Sequence, residues 1–128
     1  MFVIVLMTLL LVKHFWLDFW WQPPFMWQNK GTFGHWGGIV HSGLHAIATF
    51  FILAAILFLG GVGSVLLLFV LPVIEFVLHY TIDWCKMNLN KKMGWTATTH
   101  NEFWQLTGFD QLLHQLTYIA IAVAIILA

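Results

Sequence analysis

His14 and Asp18 stand four residues apart, as do His41 and His45, Glu75 and His79, His79 and Asp83, and Asp110 and His114. Residues at i and i+4 stack on one face of an α-helix, so each pair or triple points one way. Four of the five acids and five of the seven histidines fall into this pattern. Imidazole and carboxylate donors without thiolates suit a divalent metal: Zn first, with Fe or Mn as alternatives. Nine candidate ligands exceed the needs of one ion, so one or two ions fit. Two ions about 3.5–4 Å apart would activate water and clamp a phosphoryl or acyl oxygen. The expected ligands are His14, Asp18, His41, His45, His79, Asp83, Asp110 and His114. Glu75 and Asp83 lie about 12 Å apart along a helix axis, too far to share one ion. Glu75, the deeper of the two, is therefore expected as a bridging ligand or as general base for a metal-bound water.

The same residues admit other readings. Asp–His hydrogen bonds across helices would serve as structural cross-links alone. His41, His45, His79 and His114 are the right type for haem ligation, although the dense carboxylates argue against it. A proton or ion path would need polar groups on both sides of the membrane, and the opposite half has none. His35 and His100 read as interfacial loop residues. Lys13 and Lys86 read as snorkelling to head groups, with neutralisation of a substrate phosphate as the lesser alternative. Gln22, Gln111 and Gln115 are expected as hydrogen-bond partners of the ligands, and Cys85 as a small packed residue.

The elements that must position these groups follow from composition. The chain has 128 residues, of which 61% are hydrophobic, 17% aromatic and 8% charged, and its mean hydropathy is +0.87. A water-soluble domain carries about 25% charged residues. Five lysines, no arginine and five acids cannot wrap this chain in water. The same counts exclude a disordered chain and a basic nucleic-acid-binding domain, and the single cysteine excludes a disulfide scaffold. An integral membrane protein remains, short enough to be one domain.

A spanning helix needs about 20 mostly apolar residues. Four spans are expected, at about 1–21, 38–59, 62–86 and 104–128, forming an all-α, up-down-up-down antiparallel bundle. The first lacks a small-residue cleavage site and reads as retained. Gln22-Pro23-Pro24 should end it, Gly60-Gly61-Val62-Gly63 should make a tight turn, and Pro72 should kink the third span. The polar stretch from Lys86 to Asn101 reads as a loop, with Thr99 and Glu102 forming a capping box at the start of the last helix.

This topology puts the polar groups and all eight tryptophans on one side, as an aromatic belt. Lys30, Lys86, Lys91 and Lys92 fall on that side too. The positive-inside rule then places the site at the cytoplasmic face and both termini outside.

The motifs resemble an uncharacterised family of small bacterial and phage integral membrane proteins. Lys13-His14-Phe15 with Asp18-Phe19, and His35-Trp36-Gly37-Gly38 with His41 and His45, carry the resemblance. Glu75, His79, Ile82-Asp83-Trp84, Gly94-Trp95-Thr96 and Phe109-Asp110-Gln111-Leu112-Leu113-His114 extend it over nearly the whole chain. It implies a membrane location and no particular activity. The histidine-rich helix starts and the His79–Asp83 pair are also distantly similar to membrane-bound metal-dependent hydrolases. The expected function is a membrane-embedded metalloprotein, a hydrolase of a lipid or lipid-linked substrate. The non-enzymatic alternative is an accessory or assembly subunit of a larger membrane complex. Membrane lipids are the expected partners, together with self-association or a larger complex.

Overall fold

The computed structural model describes residues 2–59 and 63–128. Helix α1 spans Phe2–Phe15 and runs directly into a π-helical turn at Trp16–Trp20. Trp21 N–H closes that turn by donating to the carbonyl of Trp16 at 2.8 Å. Pro23 and Pro24 then prevent continuation, and Pro24 opens the short helix α2, Pro24–Trp27. Helix α3 covers Trp36–Phe58, α4 covers Val65–Met93 and α5 covers Asn101–Ile126. Among the described residues, four segments, Phe2–Trp20 and these three helices, are long and apolar enough to cross a membrane. The protein is an all-α, four-helix membrane bundle, as its hydropathy requires.

Several boundaries differ from the sequence expectation. Helix α4 continues through Lys86 and Asn88 to Met93, where Gly94 adopts a left-handed conformation (φ 70°) and its N–H bonds Asn90 O at 2.9 Å. The polar stretch is therefore mostly helix, lifting Lys91 and Lys92 about two turns beyond the expected end. Pro72 lies inside this helix without ending it. The expected capping box does not form: His100, not Thr99, is the N-cap of α5. The Thr99 hydroxyl is 2.7 Å from His100 Nδ1 and is held in the preceding turn. Of the expected glycine turn, Gly60, Gly61 and Val62 lie outside the described residues.

Around the bundle the helices neighbour one another in the order α1, α3, α4, α5 and back to α1. Its buried residues form layers, because each helix turns inward about every fourth residue. At the end nearest the termini, Leu6, Leu10, Leu53, Ile56, Leu71, Ile121 and Ile125 make a dry apolar core. The other half is filled by polar side chains.

Candidate metal centre

The polar half is built from three stacked layers, each drawing on all four long segments. The middle layer is a ring of histidines: His14 from α1, His45 from α3, His79 from α4 and His114 from α5. Their ring centroids are 5.4 Å apart from His14 to His45 and 3.8 Å from His45 to His79. They are 4.1 Å apart from His79 to His114, and 4.9 Å from His114 back to His14. Such close packing leaves no slot for a porphyrin between these four rings.

Above the ring, toward the loops, lie Asp18, His41, Asp83 and Asp110. The π turn carries Asp18, and turns of this kind are frequent at functional sites. Its Oδ1 lies 2.9 Å from His41 Nε2, 3.4 Å from His45 Nε2 and 3.8 Å from His79 Nε2. Its Oδ2 faces the other way, 3.3 Å from His14 Nε2. Asp83 is divided similarly. Its Oδ2 lies 3.3 Å from His41 and 3.5 Å from His79, whereas Oδ1 is 3.7 Å from His114. Asp110 Oδ1 adds a further oxygen 3.7 Å from His114 Nε2.

Three groups thus have ligand atoms within 4.8 Å of one another: Asp18 with His41, His45 and His79; His14 with His79 and His114; and Asp83 with Asp110 and His114. All eight residues expected as metal ligands are gathered here.

The donor geometry fits a metal. A tetrahedral zinc ion bound at about 2.0–2.1 Å separates its ligand atoms by about 3.3–3.4 Å. In the first group the His79 and His41 Nε2 atoms are 3.1 Å apart, and the Asp18 distances of 2.9–3.8 Å bracket that edge. Many of these atoms are close but not aligned for hydrogen bonding. Asp18 Oδ1, both oxygens of Asp83, Asp110 Oδ1, His45 Nε2 and His114 Nε2 are buried without a hydrogen-bond partner. Each such atom costs about 1–3 kcal/mol, and more when charged. A cation at their focus satisfies several at once.

Around the ligands stand residues that orient them. The Tyr118 hydroxyl is 2.9 Å from His14 Nδ1, and accepting that N–H leaves Nε2 facing the cluster. Gln111 Oε1, 2.9 Å from His14 Nε2, engages the nitrogen that faces the cluster and so competes with a metal rather than orienting the ring. The Gln22 amide nitrogen lies 3.1 Å from His41 Nδ1 and 3.2 Å from its Nε2. Gln115, expected in the same role, is exposed on the outer face of α5 and takes no part. His35 caps α3, its Nδ1 accepting from Gly37 N–H at 2.9 Å, and His100 bonds within its own turn. Neither reaches the cluster. Cys85 is exposed rather than packed.

Two lysines depart from the sequence reading. Lys13 does not snorkel but turns inward beneath the histidine ring. There it pairs with Glu75 and donates to Thr49 Oγ1 at 2.8 Å and to His45 O at 3.3 Å. A buried carboxylate on α4 offers this ammonium more than a head group does, since neither charge then stands alone. Glu75 therefore sits a turn below the ligands, one oxygen taken by Lys13 and Oε2 without a hydrogen-bond partner. It belongs to none of the three ligand groups.

Lys30, expected in the solvated loop, is 7% exposed and forms an ion pair with Asp83, its Nζ 3.0 Å from Oδ2. Burial opposes its charge, but the Asp83 and Asp18 carboxylates outweigh this and hold the ammonium above its ordinary value. Glycines explain how a loop residue gets there. A Cβ at Gly37 would collide with the carbonyl of Phe25, and one at Gly38 would meet Lys30 Cα at 3.3 Å. Only glycine lets α3 start so close to the preceding segment. The Gly37-Gly38 step, visible in the sequence, was the one available signal for Lys30.

A cavity of about 320 Å³ opens over the carboxylate layer. Asp18, Gln22, Lys30, Lys86, Asp110 and Gln111 are among its lining residues.

Neither a curated protein nor a solved structure matches the chain. The family described as "Protein of unknown function (DUF3307)" matches residues 6–128, a stretch that includes every layer of the histidine–carboxylate cluster. The chain belongs to that family.

Proposed function

We propose that this is a membrane-embedded metalloprotein whose cluster holds two divalent ions, zinc first. Asp18 and Asp83 would bridge them, each with one oxygen on either side. His41, His45 and His79 would complete one half, and His14, His114 and Asp110 the other. The observation that carries this reading is the convergence of buried, unpartnered donor atoms from four helices at metal-ligand spacing.

The chemistry such a pair of ions supplies is hydrolysis, by lowering the pKa of water and stabilising charge on the attacked group. Water oxygen would bond to the phosphorus or acyl carbon of a lipid or lipid-linked ester, and the ester oxygen would leave with a proton. The lysine bias of the loops supports placing the cavity at the cytoplasmic face. Elemental analysis of the purified protein tests the proposal: one to two equivalents of metal are expected, and none at all would end it.

A second reading treats the cluster as structural, in an accessory subunit of a larger complex. The Lys13–Glu75 and Lys30–Asp83 pairs favour it, because both tie elements together without needing an ion. A metal-free, stable bundle would decide for this alternative.

A further inference from the structure

The polar cavity has an apolar neighbour on the lipid side. A second space of about 320 Å³ runs along the outer seam of α4 and α5, walled by Ile82, Leu89, Leu106, Phe109 and Leu113. The two spaces share two residues, Lys86 and Asp110. One is polar at its floor, the other almost wholly apolar, and the Lys86 side chain borders both. The Lys86 ammonium lies 4.0 Å from Asp110 Oδ2, a loose pairing that leaves it donors to spare. From Leu106 to Leu113 the groove extends about 10 Å along α5.

Charge decides what the polar end would accept. The carboxylates of Asp18, Asp83 and Asp110 face Lys30 and Lys86, a small negative excess. Two divalent ions would turn that into a larger positive one, so the occupied site attracts an anion. The seam beside it offers an apolar chain a place against protein rather than bulk lipid.

We propose that the site takes a single-chain amphiphile with a phosphoryl head group, entering sideways between α4 and α5. The head group sits in the cavity against Lys86, and the first part of the hydrocarbon chain lies in the α4–α5 groove. The proposal rests on the two-ion reading of the site and goes beyond it in naming substrate class and entry route. Lys86 thereby acquires the role of head-group ligand, and Leu106 that of chain contact.

The test uses the purified full chain, zinc-loaded, in zwitterionic micelles carrying dodecyl phosphate, dodecanol or inorganic phosphate at matched concentration. Bound probe and bound metal are counted together by native mass spectrometry. Dodecyl phosphate is expected to bind one per chain, at least about 10-fold tighter than either alternative, since each lacks one of the two contacts. Lys86→Met and Leu106→Trp should each weaken it by about 10-fold while metal content stays unchanged. Lys86→Arg should restore binding, which a misfolded variant would not.

Inorganic phosphate binding as tightly as dodecyl phosphate would overturn the groove. Equal binding of dodecanol, or indifference to Lys86→Met, would overturn the head-group site. Should the protein carry no metal, the two-ion reading falls by itself. Dodecyl phosphate binding that still depends on Lys86 and Leu106 would then sustain this proposal, and absent binding would overturn it.

Discussion

Replacing His79 should release one ion and leave the other in place. His79 Nε2 lies 3.8 Å from Asp18 Oδ1 and 3.1 Å from His41 Nε2, and its single lone pair can serve only one ion. The residue is 1% exposed and lies between His45 and His114 in the ring, at 3.8 and 4.1 Å. A four-ligand zinc site is worth about 10–16 kcal/mol, or about 2.5–4 kcal/mol per ligand, so losing one weakens a site by about 100- to 1000-fold. His79→Ala and His45→Ala each impose that loss on the half that includes Asp18 and His41. At micromolar metal each variant should retain the other ion. The assay is metal content per chain after gel filtration in detergent, with helical content from circular dichroism as the control for folding. His79→Gln gives a variant of similar volume should the alanine variant not fold. Loss of both ions from His79→Ala, or of neither, would refute this placement of His79.

Four other outcomes follow from the geometry. Lys13→Met leaves Glu75 buried without its cation and should cost about 3–5 kcal/mol, while the double variant with Glu75→Gln recovers most of it, as read from unfolding in mixed micelles. Tyr118→Phe removes the hydroxyl beside His14 Nδ1 and should lower metal affinity by about 10- to 100-fold with little change in helical content, measured by competition with a chelator. Gly37→Ala should destabilise by about 1–3 kcal/mol by pushing α3 away from the Phe25 carbonyl, and should also loosen Lys30 from Asp83. Metal at about 100 times its dissociation constant should stabilise the bundle by about 2.7 kcal/mol, visible as a rise in Tm that excess chelator reverses.

Much of this architecture is local and could be read directly. Apolar runs of about 20 residues dictate spanning helices whatever their neighbours. The four-residue spacing of His14 with Asp18, or His79 with Asp83, puts both side chains on one helical face wherever that helix packs. Proline at 23 and 24 ended the first span as its missing N–H requires. The helical continuation to Met93 was not legible, because Lys86 to Lys92 is polar enough to pass for a loop although it contains no helix breaker before Gly94.

The layers themselves belong to the tertiary structure. Spacing along a helix says nothing of the height and rotation at which it meets another, and those are set by packing summed over all four helices. That packing alone put one histidine from each helix into a single ring, with carboxylates above and a lysine–glutamate pair below. It turned Lys13 inward to Glu75, 62 positions away, when its own helix end pointed to a head group. It drew Lys30 out of a loop onto Asp83, and it gave Tyr118, hidden in an apolar run, the task of orienting His14. The sequence determined that ionisable residues would share helical faces inside a membrane, because leaving them in lipid is costly. Which of them meet, and so where ions would sit, depended on contacts between residues far apart in the chain.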